Sequence, residues 1–237
     1  MEIAALLIAR KGSKSVPNKN TIKVDGTPMF AHSLMAAIKS PLIDNVYVST
    51  DCPLVKKYTK LIMTQKSVTI IDRPDELCQD KSTPHEAMMH GLGVIEEKRG
   101  KKVDILVTLL GNTPFTNTAD LDRGITNLIA KWDDYDSCMS VSELNCFNPY
   151  RAYKMDIDKL VPMVKPETED KFDYNRDSFG SVLFFNGSFW ICKRETLIKN
   201  DGPSPYPWVG NNVLPLVEEE GTMEIDAPWQ LKLVNTT

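Results

Sequence analysis

Apolar residues in this chain gather in short unbroken runs separated by amphipathic stretches. Residues 3–9 (IAALLIA), 45–50 (NVYVST), 68–72 (VTIID) and 104–110 (DILVTLL) have the length and continuity of buried strands. Between them the apolar period lengthens. Phe30, Leu34, Ala37 and Ile38 in 29–40 recur at helical spacing, and 53–62 and 118–132 follow the same rule. Residues 83–100 open with Thr83 as N-cap, Pro84 at the first helical position and Glu86 three residues after the cap, a capping box. Continuous apolar strands alternating with helices predict an α/β fold whose mostly parallel sheet is covered by helices on both faces.

The rhythm changes near residue 136. The stretch from Asp136 to Met155 is strand-like but irregular, and 164–180 is polar and poor in apolar residues, as in an exposed insertion or an arm that orders against another subunit. Residues 181–193 (SVLFFNGSFWICK) predict a strand pair, or one strand bent at Asn186–Gly187. A proline-rich loop at 201–210 leads to 222–234, a short strand running into a last helix begun by Pro228.

Composition narrows the function classes. Lys plus Arg number 28 against 32 Asp plus Glu, giving net charge −4, so nucleic acid or an anionic membrane is not an expected partner. Cys52, Cys78, Cys138, Cys146 and Cys192 are odd in number and lack C-x-x-C spacing, which predicts reduced thiols in a cytoplasmic protein. The apolar N-terminal run carries Glu2 and is too short to span a bilayer. His32, His85 and His90 fall on predicted helices at spacings that do not suit one metal ion, and Cys52 has no histidine near it in sequence.

Against this acidic background, residues 8–20 (IARKGSKSVPNKN) carry Arg10, Lys11, Lys14 and Lys19 with no acid among them. The stretch leaves the first strand, where ligands bind in open α/β sheets. It is neither a Walker A nor a G-x-G-x-x-G motif, having Gly12 alone. A Gly–Ser turn with several cations and free backbone N–H groups suits a polyphosphate, while a solvated basic turn is the plainer alternative.

The order of residues in this loop resembles the N-terminal motif of the acylneuraminate cytidylyltransferases: Ala9-Arg10, then Gly12-Ser13-Lys14, then Pro17-Asn18-Lys19-Asn20. The likeness continues through 48–51 (VSTD), 73–83 (RPDELCQDKST), 107–114 (VTLLGNTP), 185–191 (FNGSFWI) and 223–226 (MEID), covering nearly the whole chain. It implies a Rossmann-like nucleotidyltransferase core of residues 1–144 and 183–237, with 145–182 inserted as a dimerisation lobe of a homodimer. It implies a reaction of CTP with a nonulosonic (sialic-acid-like) sugar acid, giving the CMP-sugar and pyrophosphate. Arg10, Gly12, Ser13, Lys14 and Asn20 would hold the nucleotide, with Arg73 and Ser82 on the cytosine side. Arg10, Lys19 and Asp226 would be catalytic, and Asn112, Arg151, Asn186 and Gly187 would meet the sugar.

Glu224 and Asp226 stand two apart, so an extended backbone points both the same way. Paired carboxylates suit Mg²⁺ completed by phosphate and water, and Asp226 can alternatively act as the general base. Three positions depart from the family pattern: Glu224 replaces aspartate, Gly111-Asn112 replaces Gln-Pro, and Phe184-Phe185 stands where Arg-Pro is common. These departures leave open another acceptor, such as a sugar or alditol phosphate, or a non-catalytic nucleotide-binding protein.

Overall fold

A computed structural model describes residues 1–62, 68–164, 180–218 and 222–234. Its centre is a seven-stranded sheet. The strands are β1 (Ile3–Ile8), β4 (Asn45–Thr50), β5 (Val68–Asp72), β6 (Ile105–Leu110), β7 (Ser137–Glu143), β10 (Leu183–Lys193) and β11 (Val213–Val217), in the order β11-β7-β10-β6-β1-β4-β5. β2 (Lys23–Val24) with β3 (Thr27–Pro28), and β8 (Tyr153–Asp156) with β9 (Lys159–Pro162), form two small ribbons. Helices α1 (Met29–Lys39), α2 (Pro53–Ile62), α3 (Pro84–Arg99), α4 (Thr118–Ala130), α5 (Arg194–Lys199) and α6 (Pro228–Val234) complete the core.

The apolar runs explain the layering. Alternate residues of β1 face opposite sides of the sheet. Ile3, Ala5 and Leu7 pack with Phe30, Leu34, Leu121 and Ile125 from α1 and α4. Ala4 and Leu6 pack with Met88, Leu92 and Ile95 from α3 and Leu197 from α5. All five strand residues are at most 5% exposed, so truncating Leu6 to alanine would cost about 2–5 kcal/mol. The capping box that opens α3 is present: the Thr83 hydroxyl accepts the Glu86 N–H, and the Glu86 carboxylate accepts the Thr83 N–H.

The sheet is mostly parallel and Rossmann-like. β1 pairs in parallel with β4 and β6, β4 with β5, and β11 with β7. β10 is the exception, running antiparallel between β6 and β7, with a register shift between Phe185 and Trp190 at the expected bend. Three expectations need correction. Residues 222–227 form no strand: among the described residues the segment makes a single backbone bond to its neighbour, from the Ile225 N–H to the Asn112 carbonyl at 2.9 Å. The fourth helix ends at Ala130, not Trp132, and the irregular stretch after 136 resolves into β7, two 3-10 turns and the β8–β9 ribbon. α5 and β11 were not anticipated. Of the expected insertion 145–182, residues 165–179 lie outside the described residues.

Trp190 and Trp208 belong to the core, clustered with Phe185 and Tyr206. Cys52, Cys78, Cys138 and Cys192 are free thiols, and burial pushes Cys138 up to about 12. His32 and His85 each meet a backbone carbonyl through Nε2, of Val24 and Leu197 respectively. Among the described residues no helix is long and apolar enough to cross a membrane.

Candidate active site

β1 has β4 on one side and β6 on the other, so the direction of chain winding reverses at β1. Loops that leave two such strands at their carboxyl ends part from each other and open a crevice. That crevice is the cleft here. It is lined from the β1 side by Arg10, Gly12, Ser13, Lys19 and Asn20, and from the β6 side by Asn112. Arg73, Ser82 and the α3 N-terminal residues Thr83, Pro84 and Ala87 form another wall. The positive end of the α3 dipole therefore adds to the loop's cations.

The basic loop is tied down at a few points and otherwise exposed. Val16 is buried, the Lys11 N–H donates to Asp51 Oδ1 at 2.7 Å, and Asn20 Nδ2 donates to the Arg10 carbonyl at 2.9 Å. Gly111, beneath Asn20, has no room for a side chain. A Cβ there would lie 2.9 Å from Ala9 Cβ and 3.0 Å from Asn20 Oδ1. A glutamine at this position would displace Asn20, which gives the Gly111 departure a physical reason.

Arg10, Lys14 and Lys19 of the loop each have an acidic partner across the cleft. Arg10 Nη1 lies 3.4 Å from Asp80 Oδ1 and 3.2 Å from the Cys78 carbonyl, and Lys14 Nζ lies 2.5 Å from Asp80 Oδ2. Lys14, aided by Arg10, holds the Asp80 carboxyl below the usual carboxylate range. These are surface pairs, with Lys14 84% exposed, so an incoming polyanion can displace Asp80 at small cost. Lys19 is different: only 16% of its side chain is exposed, and its ammonium pairs with Asp226.

That pair brings the two ends of the chain together. Asn112 Nδ2 stands 3.0 Å from Asp226 Oδ1 and 3.4 Å from Glu224 Oε2, so one amide serves both carboxylates. Gln230 of α6 fixes the segment that carries them. Its Oε1 accepts the N–H groups of Asp226 and Ala227 at 2.8 and 2.7 Å, and its Nε2 donates to the Glu224 carbonyl at 2.8 Å. Burial, reinforced by the neighbouring Asp226, pushes the Glu224 carboxyl up, against the pull of Asn112 and Lys19. Two close carboxylates with incomplete compensation are a set of hard oxygen donors that fits Mg²⁺. Among the described residues no cluster of three or more His, Cys, Asp or Glu forms a fuller protein cage.

The other predicted residues are placed as follows. Arg73 is 8% exposed in the cleft wall, its Nε donating to Ser49 Oγ at 3.1 Å and its Nη2 to the Ser49 carbonyl at 2.8 Å. Burial lowers its pKa from the ordinary arginine value. Ser82 lines the cleft, but its hydroxyl is engaged within its own turn, with the Glu76 carbonyl and the Gln79 N–H. Gly187 lies against Glu224, and its carbonyl accepts from Thr113 Oγ1 at 2.8 Å. Asn186 is 2% exposed, with its amide bonded to Ser140, Ser142, Ser188 and Glu218, all inside the protein. Arg151 is exposed on the turn Pro149–Arg151 and is not among the residues that line the cleft. Asp80, Gln230 and Thr113 escaped the sequence reading; a lone acid, amide or hydroxyl in a polar loop gives no periodic signal.

A family model described as cytidylyltransferase matches residues 4–187. An N-acylneuraminate cytidylyltransferase of Streptococcus agalactiae serotype V is 24% identical over 201 residues, covering 84% of this chain but 45% of that protein. The chain therefore spans less than half the length of that relative. A Campylobacter coli protein named post-translational flagellin modification protein B is 25% identical over 236 residues, 98% of this chain and 93% of its own length. Among solved structures, a CMP:2-keto-3-deoxy-manno-octonic acid synthetase complexed with CTP superimposes with TM-score 0.69 at 16% identity, covering 99% of this chain and 97% of that one. A 4-diphosphocytidyl-2C-methyl-D-erythritol synthase from Anaerococcus prevotii DSM 20548 gives 0.63 at 13% identity, covering 99% and 94%. These two speak for the fold alone; the match over residues 4–187 settles the family, and the chain belongs to the cytidylyltransferases.

Proposed function

We propose that this protein transfers CMP from CTP to the anomeric hydroxyl of a nonulosonic (sialic-acid-like) sugar acid, releasing pyrophosphate. The observation that carries the reading is the meeting of a cationic strand-end loop with a carboxylate pair, through Lys19 and Asn112, in one switch-point cleft. The hydroxyl oxygen attacks the α-phosphorus, the bond from that phosphorus to the bridging oxygen of the β-phosphate breaks, and pyrophosphate leaves with the electron pair. Arg10, Lys14, Ser13 and the loop N–H groups grip the triphosphate, and Lys19 neutralises charge at the reacting phosphate. Positioning and charge neutralisation carry most of such a transfer.

Glu224 and Asp226 would hold Mg²⁺, which supplies further neutralisation of the triphosphate. Alternatively Asp226, free of the ion, receives the hydroxyl proton as general base. Arg73 and the Ser82 turn flank the position of the base. The exposed apolar side chains Met155, Ile157 and Leu160 on the β8–β9 ribbon support a homodimer in which a second copy covers them; light scattering would show a mass twice that of the chain.

Pyrophosphate release from CTP, measured across a panel of sugar acids and sugar phosphates with and without Mg²⁺, tests the reading. Release only with nonulosonic acids is expected. Release only with a phosphorylated acceptor would replace the substrate class, and CTP binding without release from any acceptor would overturn the enzymatic reading.

A further inference from the structure

We propose that Glu218 is a positioning residue for the acidic pair: it clamps both flanks of the Gly187 turn and so sets where Glu224 stands. Glu218 follows β11 directly and is 5% exposed, its N–H bonded to the Val141 carbonyl at 2.9 Å. One carboxylate oxygen, Oε2, accepts from Asn186 Nδ2 at 2.6 Å and from Ser188 Oγ at 2.7 Å. Those residues lie on either side of Gly187, within the stretch where the β10–β7 register shifts. Ser140 and Ser142 of β7 complete the enclosure through the two ends of the Asn186 amide.

The turn bears directly on the site. Gly187 has φ +85°, and a Cβ there would lie 2.6 Å from Glu224 Cβ and 3.2 Å from Glu224 Oε2. The Gly187 backbone therefore abuts the Glu224 side chain, and a displacement of the turn displaces Glu224. Thr113 Oγ1 holds the Gly187 carbonyl from the β6 side, which leaves the flanks, not the apex, as the adjustable element. The clamp is an ionisable group where a neutral one would fold at lower cost. Oε1 has no hydrogen-bond partner among the described residues. Burial pushes the carboxyl up to about 6 despite its two donors, with Asp120 of α4 raising it further and Arg123 of α4 opposing. A buried carboxyl with one idle oxygen is a poor stability device, whereas one oxygen bridging two donors fixes a turn closely.

The kinetic side of this inference rests on the proposed transfer reaction; the structural side does not. Hydrogen exchange on the intact protein reads the structural side. In Glu218→Ala, amides of 185–189 and 222–227 should lose protection while those of β1 and β4 keep theirs. Unchanged exchange at 222–227 in a folded variant overturns the inference. Glu218→Asp, too short to bridge both donors, should give the same pattern and serves if the alanine variant fails to fold. In the pyrophosphate assay, Glu218→Ala should lower kcat about 10–100-fold with KM for CTP near the wild-type value. Glu218→Gln, which keeps the accepting oxygen, should recover to within about threefold. Adding Glu218→Ala to Glu224→Gln should cost less than about twofold more, because both changes act at one point. Fully multiplicative losses would overturn the inference. If the wild type releases no pyrophosphate, the transfer reading falls, and the exchange experiment still decides the role of Glu218.

Discussion

The two walls of the cleft hold their charges by opposite means. On the β1 side, Arg10 and Lys14 reach a single exposed carboxylate, Asp80, from a loop anchored at Val16, Lys11 and Asn20. On the other side, Glu224 is half-buried, its carbonyl held by Gln230 and its side chain pressed against the Gly187 turn. Surface pairs are screened and weak, so the first wall can exchange Asp80 for a ligand without unfolding anything. Buried polar groups must be satisfied in place, so the second wall couples the site to stability. Substitutions on the first wall should thus alter nucleotide capture alone, and those on the second should alter turnover and folding together.

The sharpest attempt to break this contrast is Asp226→Asn, which removes charge at the meeting point of both walls. Turnover should fall by about 10³-fold with the melting temperature little changed, since half of the Asp226 side chain is exposed; retained pyrophosphate release would misplace the site. Arg10→Ala follows, with kcat/KM for CTP expected to drop about 100-fold and urea denaturation unaltered. If Arg10→Ala also unfolds the protein, the first wall is not the independent element described above.

Gly187→Ala probes the second wall from within. A side chain at φ +85° pressed against Glu224 should cost about 1–3 kcal/mol in urea denaturation and depress turnover in parallel. The pH dependence of stability gives a comparable effect. The Glu218 carboxyl is raised from 4.5 to about 6, so its folded form favours the proton. Its stabilising contribution is full below pH 4.5 and is lost as pH rises through 6, about 2 kcal/mol in all. Glu218→Gln should flatten that part of the stability curve, which denaturation at pH 4.5 and pH 7.5 would reveal. Smallest of all, Lys14→Ala should leave the melting temperature where it was and raise KM for CTP by at most about tenfold.

How much of this was legible beforehand follows from the kind of interaction involved. β1, β4, β5 and β6 coincide with apolar runs, because a strand buried on both faces must be apolar throughout. The α3 N-terminus coincides with a capping box, which is local in sequence. β11 was hidden by Pro215, an obstacle in a central strand but tolerable here because β11 is the sheet edge. The antiparallel insertion of β10 depends on which strands flank it, and no local pattern encodes that. Asn186 shows the same limit at the site: its position beside Gly187 drew attention, yet packing turned its amide inward onto Glu218.

By itself, then, the sequence determined the alternation of layers, the cationic loop at the end of the first strand, and the two-residue spacing of Glu224 and Asp226. These rest on periodicity and charge, which are properties of neighbours along the chain. Tertiary structure alone decided that Lys19 meets Asp226 across 207 positions, that Asp80 neutralises Arg10 and Lys14, and that Glu218 braces Gly187 against Glu224. Those contacts form because burial forces distant polar groups to satisfy one another, a requirement that arises only once the chain has closed on itself.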